Sequence, residues 1–491
     1  MVKRIVSVVL LLIMVIPFAA CKNNSDPPVP TSDTSATSTT IDKSEELNVP
    51  KKTYNGADFV VLSAGQVAYN DFNIDETADT IVNEAQYRRK ATVENLFDIV
   101  IEEIIDENKS GVGNGSGYKR ISKMIDSGDA DYNVALIGGM DVSTLAYSDY
   151  LMPMSSTTYV DLSKPWWDQD ANKDLSILGE IFFTQGDISA AKYEATYIIY
   201  YNKELGKEKL TEDPYTLVTD GKWTIDKLSE FCLNVSEDLD GNDVRDMEDM
   251  YGLYVWDDAI LGMISAAGHK VASTDKDGKL ELSIYNEDVL SVIQKFGTIA
   301  YNSEYAVMYQ RYANAGDVVN HWLNDQALFW ANSTLNLSKF REMQSDFGIL
   351  PFPKLREEQD RYYSTMATYN SQFICFPRNQ VDEEFSSAVT EALAYYGREI
   401  LRPAVYERTI TGTYFRDNES AGMLDLIFQS YIYDNGQLHR IGNLNNSILN
   451  MFRAKESNFT AIYESSRTLS EQQIDVVNEN YQKIIDNWKN Q

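Results

Sequence analysis

The first part of the chain alternates strand patterns with helix patterns, and this alternation most limits the folds open to it. Short apolar runs alternate with longer amphipathic stretches, which predicts strand 58–62, helix 76–96, strand 98–105, helix 118–125 and strand 132–137. This order is typical of a parallel sheet with helices on its faces. Ligands bind beyond the carboxyl ends of such strands. Gln66 and Asp141, which each follow a predicted strand, are therefore candidate ligand-binding residues.

Length and charge restrict the classes of protein that the chain can represent. Its 491 residues are too many for one hydrophobic core, which predicts two domains. The formal net charge of −31 argues against nucleic acid as a partner, because phosphate binding needs patches of lysine and arginine. Three widely separated histidines give little support to a zinc site or a histidine-based triad. Cys232 and Cys375 are expected to be buried free thiols or, alternatively, one disulfide.

The N-terminus has the pattern of a targeting segment. Residues 1–21 combine Lys3 and Arg4 with an apolar run that is too short to span a bilayer, and they end in Ala-Ala-Cys. This resembles a bacterial lipoprotein signal peptide, which would make Cys21 the lipidated first residue of the mature protein; an ordinary cleaved signal peptide is the alternative. Residues 22–52 are rich in serine, threonine, proline and aspartate, which predicts a flexible tether above a membrane surface.

Residues 193–232 contain the most specific sequence motifs in the chain. A strand rich in β-branched and aromatic residues is predicted over 195–201, and Pro214 is expected to fix an extended or turn geometry. Thr224 is the expected N-cap of a following helix. The phrases YYNKEL, DPYTLV and GKWTIDKL, together with DLSKPWW at 161–167, resemble the extracellular solute-binding proteins of ABC importers, family 1, which includes maltose-binding-type sugar receptors.

This resemblance implies a fold, a location and a set of partners. The fold is α/β and two-lobed, of the type II periplasmic-binding-protein kind, with mostly parallel sheets and a ligand cleft between the lobes. Lobe 1 is expected to comprise residues 53–186 and 364–415, and lobe 2 residues 187–363 and 416–491. A protein of this kind is a monomer anchored by its lipid at the extracellular face of the cell membrane. There it would bind a small solute, without an organic or redox cofactor, and deliver it to ABC permease subunits.

Further cleft candidates are aromatic and polar residues near predicted strand ends or crossovers. Rings can cover the apolar faces of a sugar while carboxylates and amides bond to its hydroxyl groups. The candidates are Trp166, Trp167, Trp256, Asp257, Trp330, Tyr369 and Asn370. Core packing is the alternative for the three tryptophans at 166, 167 and 330. Asp258 is expected to be a helix N-cap, with ligand contact as the alternative.

Residues 238–249, DLDGNDVRDMED, have the ligand spacing of a calcium loop. Oxygen ligands fall at loop positions one, three, five, seven, nine and twelve, which are Asp238, Asp240, Asn242, the carbonyl of Val244, Asp246 and Asp249. Asp243 occupies the position that glycine usually takes, and the last ligand is aspartate where glutamate is usual. We expect a structural Ca²⁺ site; a solvated acidic loop without metal is the alternative.

The favoured function is capture of a carbohydrate, most simply an oligosaccharide, by two lobes that close over it. In that interpretation the protein is not an enzyme. A surface-anchored glycoside hydrolase is the rival from another class, because acidic residues are abundant enough to supply a catalytic pair. A receptor for peptides or another small solute is the third possibility, since it would share the fold and differ only in the cleft lining.

Overall fold

The computed structural model describes residues 46–490, except 68, 77–79, 108–112, 312–316, 341–342, 381 and 411–418. The predicted signal peptide (residues 1–21), its Cys21 and the tether as far as residue 45 lie outside the described residues. Within the described part of the chain, no helix is both long enough and apolar enough to cross a membrane.

The chain begins with alternating strands and helices, as the sequence pattern predicts. Its elements in order are β1 (Ala57–Gly65), α1 (Ile81–Phe97), β2 (Ile99–Glu107), α2 (Ser116–Ser127), β3 (Val134–Gly138), α3 (Gly139–Tyr147), α4 (Gln169–Leu175) and the short strand β4 (Phe183–Thr184). Helix α1 starts later than predicted because the Thr80 side chain caps it, accepting a hydrogen bond from the backbone N–H of Asn83 at 3.1 Å.

A second group of elements follows the first passage of the chain between the lobes. These are α5 (Ala191–Glu194), β5 (Tyr197–Asn202), α6 (Lys203–Lys209), α7 (Pro214–Thr219), α8 (Ile225–Leu233), β6 (Tyr251–Val255), α9 (Ala259–Ala266), β7 (Ala272–Thr274), β8 (Leu280–Leu282), α10 (Glu287–Ala300), β9 (Ala306–Met308), α11 (Val318–Leu323), β10 (Ala327–Ser333) and β11 (Phe347–Leu350).

The remaining elements comprise one strand of the first lobe and helices that pack on both lobes. They are β12 (Gln372–Cys375), α12 (Glu383–Tyr396), α13 (Arg402–Ile410), α14 (Glu419–Phe428), α15 (Asn435–Leu438), α16 (Leu444–Arg453) and α17 (Phe459–Lys489). Between α12 and α13 the helix widens into a π-helical turn at Gly397–Leu401.

Local hydrogen bonding and proline geometry explain two helix starts within residues 193–232. Thr224 caps α8, as predicted, by accepting a hydrogen bond from the N–H of Lys227 at 3.3 Å. The prediction for Pro214 was wrong, because Pro214 is the first residue of α7 and Asp213 is the N-cap. Proline suits this position, since its missing N–H would have no partner in the first turn of a helix.

The strands form two five-stranded sheets and one hairpin. The first sheet has the order β2-β1-β3-β12-β4 and the second the order β11-β5-β10-β6-β9, while β7 pairs with β8. In the first sheet only β12 runs against its neighbours, and in the second only β5 does. Each reversed strand is the one that enters its sheet directly from the other lobe. The strands fall within the predicted lobe ranges, although the exact lobe boundaries stay a prediction.

Three crossing segments, 195–197, 364–367 and 430–432, pair with one another where the chain passes between the sheets. The N–H of Ala367 donates to the Ala195 carbonyl at 2.9 Å, and the N–H of Ile432 donates to the Ser364 carbonyl at 2.8 Å. Beside them, the buried Lys192 ammonium lies 2.7 Å from the Asp168 carboxylate. These contacts hold the three crossing segments together as one hydrogen-bonded connection between the sheets.

Cys232 and Cys375 are buried free thiols, which rules out the disulfide alternative. Cys232 lies on α8 and Cys375 on β12, so they belong to different lobes. Burial raises the pKa of both thiols, which keeps them protonated and chemically inert.

Candidate functional site

A cavity of about 520 Å³ lies between the two lobes, next to the crossing segments. Lobe 1 contributes Met140 at the start of α3, and Thr368 and Tyr369 follow crossing segment 364–367 directly. Lobe 2 contributes Tyr197, Asp258 and Leu261, and the remaining lining residues lie in 437–473. The volume is within the range of small-molecule binding sites, roughly 300–1,000 Å³.

A much smaller cavity of about 10 Å³ adjoins the first and shares Met140 and Tyr369 with it. It lies at the carboxyl ends of β1 and β3, and its lining includes Gln66 and Asp141. The two strand ends approach closely here, because a Cβ atom on Gly65 would lie 3.1 Å from Gly138 Cα. Glycine at both positions therefore allows the strand ends to meet beneath the cleft.

Gln66 and Asp141 are both largely buried, with 6 % and 4 % of their surface exposed. The Asp141 carboxylate accepts hydrogen bonds from the N–H of Gly115 at 3.0 Å and of Tyr118 at 3.4 Å, and so fixes the start of α2. Burial raises the pKa of Asp141, although these hydrogen bonds act in the opposite direction. In this structure Asp141 supports the floor of the cleft.

Tyr369 and Asn370 lie between crossing segment 364–367 and β12. Tyr369 lines both cavities, and 47 % of its surface is exposed. Asn370 is half-buried, and its carbonyl accepts a hydrogen bond from the Tyr69 hydroxyl at 3.1 Å. Tyr369 therefore presents an accessible aromatic ring to a ligand, while Asn370 holds a neighbouring loop.

Trp166 and Trp167 are core residues in the structure and not cleft residues, which corrects the ligand-binding prediction for them. Their side chains are 1 % and 2 % exposed. Trp166 Nε1 donates to Glu391 Oε1 at 3.0 Å, and Trp167 Nε1 donates to Glu391 Oε2 at 2.9 Å. Burial raises the pKa of Glu391 to about 8, against the effect of these two donors. The pair of rings fastens the segment before α4 to helix α12.

Trp330 is likewise a core residue, so its assignment to the cleft is corrected as well. It lies on β10, is 1 % exposed, and has its ring centroid 5.4 Å from that of Phe340 and 5.8 Å from that of Tyr200. Its Nε1 donates to the Tyr309 hydroxyl at 3.3 Å. A strand in the middle of a covered sheet buries both faces, which is why this ring does not reach the cleft.

Trp256 and Asp257, the two residues after β6 that the sequence favoured as ligand contacts, do not line the cavity. Asp257 is 2 % exposed and forms an ion pair with Arg453, so its carboxylate is engaged away from the cavity lining. Trp256 is half-buried, with its ring centroid 4.9 Å from that of Tyr309. Neither residue is among those lining the two described cavities.

Asp258 is the carboxylate that lines the larger cavity, the role that the sequence analysis gave only as the alternative to a helix N-cap. It precedes α9, as an N-cap would, but its side chain makes no capping hydrogen bond. Instead it accepts a hydrogen bond from the Tyr197 hydroxyl. Burial raises the pKa of Asp258 to about 6, and the neighbouring charge of Asp257 adds to the shift. The carboxylate is therefore available to accept hydrogen bonds from a ligand at neutral pH.

The sequence reasoning missed the polar wall formed by residues 437–446 and by Gln473. This stretch contains Gln437, Asn443, Asn445 and Asn446, all of which line the larger cavity. A cluster of amides around a glycine, directly after a crossing segment, is the signal that could have indicated it.

The acidic loop at 238–249 brings three of its predicted ligands together. One carboxylate oxygen each from Asp238, Asp240 and Asp249 lies within 4.8 Å of the others. Asp243 adopts φ 60°, the left-handed conformation that a calcium loop requires at this position and that aspartate tolerates. The loop lies on lobe 2 between α8 and β6, and none of its residues lines the described cavities.

Comparisons with known proteins give structural matches only. No protein-family model and no curated protein sequence matches the chain. Solved structures do match. One is a cyclo/maltodextrin-binding protein complexed with maltotetraose, with a TM-score of 0.54 and 12 % identity over 88 % of this chain and 97 % of that one. Another is apo RafE from Streptococcus pneumoniae, with a TM-score of 0.53 and 10 % identity over 88 % of this chain and 98 % of that one. A third is the ABC substrate-binding protein Lmo0181 from Listeria monocytogenes in complex with cycloalternan, with a TM-score of 0.51 and 10 % identity over 88 % of this chain and 99 % of that one.

This chain has the two-lobed fold of ABC substrate-binding proteins. The match extends over 88 % of the chain and nearly the whole of each matched protein, so both lobes and their crossing segments are included. The α/β, two-lobed fold predicted from the sequence is confirmed. At 10–12 % identity the matches establish this fold alone. The position of the cavity between the lobes is read from the residues that line it in this chain.

Proposed function

We propose that this protein is the carbohydrate receptor of an ABC importer. The observation that carries the proposal is the cavity of about 520 Å³ between two lobes that are joined by a hydrogen-bonded connection. Its lining combines the accessible Tyr369 ring with amide side chains and the Asp258 carboxylate. A ring that covers the apolar face of a sugar, beside groups that bond to its hydroxyls, is a suitable combination for carbohydrate.

The mechanism that we propose is capture without chemistry. A ligand that contacts Met140 on one lobe and Asp258 on the other stabilises the closed arrangement, because it interacts with both lobes only when they are close. The crossing segments at 195–197, 364–367 and 430–432 are the hinge about which the lobes move. The closed receptor then presents a surface that permease subunits recognise.

The proposed location follows from the N-terminal sequence. Lipidation of Cys21 and the polar tether at 22–52 would hold a monomeric receptor at the extracellular face of the membrane. A lipid anchor and a flexible tether allow the receptor to reach a permease in the same membrane.

A thermal-shift screen against mono-, di- and oligosaccharides, with short peptides as the comparison, tests the proposal. A ligand that binds only the folded state stabilises it by about 2.7 kcal/mol at a concentration of 100 times Kd. We expect at least one carbohydrate to raise the melting temperature and to be recovered chemically unchanged. Shifts with peptides alone would refute the carbohydrate assignment, and cleaved sugar products would favour a hydrolase.

We also propose a structural Ca²⁺ ion in the acidic loop, held by Asp238, Asp240, Asn242, the Val244 carbonyl, Asp246 and Asp249. Three carboxylate oxygens within 4.8 Å of one another fit one calcium ion, whose oxygen ligands lie at about 2.3–2.6 Å. The ion would neutralise these charges and hold the connection into β6. Removal of Ca²⁺ with EDTA should lower the melting temperature, and Asp240→Ala should abolish that effect.

A further inference from the structure

One wall of the larger cavity consists of side-chain amides, and we call it the amide wall: Gln437, Asn443, Asn445, Asn446 and Gln473. Gln437 and Asn445 are buried, whereas Asn443 and Asn446 are exposed. Each amide can both donate and accept a hydrogen bond, which matches the hydrogen-bonding capacity of a hydroxyl group.

The amide wall is held in a fixed shape by a turn that docks on α17. Gln473 uses both ends of its amide there: Oε1 accepts from the Gly442 N–H at 2.9 Å, and Nε2 donates to the His439 carbonyl at 3.1 Å. Gly442 has φ 59°, and a Cβ atom at this position would lie 1.8 Å from Ser470 Oγ. The turn is therefore tightly packed against the helix, and the backbone that carries the amides is positioned before any ligand arrives.

Asn445 is the member of the wall with an unused hydrogen-bonding atom. Its side chain is 7 % exposed, and Nδ2 donates to the Gln437 carbonyl at 3.4 Å. Oδ1 is shielded from solvent and receives no hydrogen bond from the residues that the structure describes. A buried acceptor without a donor is unfavourable, and because Asn445 lines the cavity, a turn of its side-chain amide toward a ligand hydroxyl would satisfy it.

The charges around the cavity indicate which carbohydrates fit. Asp258 and Arg440 are the only residues of formally charged type among those described as lining it, and their charges are opposite. Arg440 already donates to Thr144 Oγ1 at 3.3 Å and lies in the field of Asp141. An acidic ligand group entering here would lose its hydration beside the Asp258 carboxylate, and the Arg440 guanidinium is already engaged, which is unfavourable.

We propose that the amide wall is the specificity-determining surface of the receptor, with Asn445 as its key acceptor, and that it selects short oligosaccharides without acidic groups. This inference rests on the proposed carbohydrate function and adds to it the class of sugar and the residues that select it.

Calorimetric titration of the full mature protein tests the proposal with two matched ligand series. One series contains uncharged oligosaccharides of one to four units, and the other contains oligosaccharides of the same lengths that carry uronic acids. Asn445→Leu keeps the size of the side chain and removes the acceptor, and Asn446→Leu does the same at an exposed position where folding is not at risk. Asn320→Leu is the control, because Asn320 is an exposed residue of α11 outside the cavity lining.

We expect the native protein to bind an uncharged oligosaccharide, and each wall variant to weaken that binding about tenfold with an unchanged melting temperature. The control should keep the native Kd. Tighter binding of the uronic acid series, or a native Kd in both wall variants, would overturn this inference and leave the carbohydrate function standing. A failure of every carbohydrate to bind would overturn both.

Discussion

The Asp258 carboxylate lowers the stability of the folded protein at neutral pH, and replacing it with the neutral isostere asparagine should reveal by how much. Burial raises the pKa of Asp258 from 3.8 to about 6 in the folded state. Because the pKa is raised on folding, the protonated form of Asp258 favours the folded state. This contribution to the free energy of unfolding is fully present below pH 3.8 and is lost as the pH rises through about 6.

The shift sets the size of the expected effect. At pH 8 the difference between pKa values of about 6 and 3.8 corresponds to about 3 kcal/mol in the free energy of unfolding. The partial exposure of Asp258 to the cavity reduces this to about 2 kcal/mol, because solvent screens the charge. Asp258→Asn keeps an acceptor for the Tyr197 hydroxyl, so it removes the charge and leaves that hydrogen bond in place.

Urea unfolding of the native protein and of Asp258→Asn at pH 4.5 and pH 8 measures this difference. The variant should be more stable by about 2 kcal/mol at pH 8 and by less than about 1 kcal/mol at pH 4.5, with equal m values. Asp226→Asn, at an aspartate on α8 that is 67 % exposed, is the control and should change stability by less than about 0.5 kcal/mol at either pH. A variant that is less stable at pH 8, or whose advantage does not depend on pH, would refute the reasoning.

Three further substitutions test the assignment of residues to core and cleft. Trp330→Ala should lower the free energy of unfolding by about 3–5 kcal/mol, measured by urea unfolding, because it leaves a cavity among packed rings. Trp167→Phe should cost about 1–3 kcal/mol, since one buried oxygen of Glu391 loses its donor; an unchanged midpoint would contradict that hydrogen bond. Tyr369→Ala should leave the melting temperature within about 2 °C of the native value while weakening carbohydrate binding about tenfold by calorimetry. Native affinity in that variant would remove Tyr369 from the site.

The alternation of β1, α1, β2, α2 and β3 could be predicted from the sequence because each element carries its own local signal. Strand and helix periods differ, and glycine ends β1 and β3. The antiparallel strands β5 and β12 could not be predicted in the same way. Their direction depends on where the chain re-enters each sheet, which is a property of the crossing segments and not of the strand sequences.

The cleft was harder to predict because burial depends on distant residues. The partner of Trp166 and Trp167 is Glu391, more than 220 positions away in the chain. From the sequence alone, a tryptophan pair in a polar neighbourhood therefore suggests a ligand-binding surface. Only the folded structure shows that both indole N–H groups donate to the Glu391 carboxylate. Tyr369 could be found because its crossover segment resembles that of solute-binding proteins. Asn445 and Gln473 could not, because they become neighbours only when α17 packs against the turn before α16.

Small-angle X-ray scattering with and without a bound oligosaccharide tests most directly that two hinged lobes close on a sugar. If the lobes close, a saturating concentration of a sugar that raises the melting temperature should also decrease the radius of gyration, and a sugar without thermal effect should leave it unchanged. A radius of gyration that stays constant or increases when the sugar is bound would contradict capture by lobe closure.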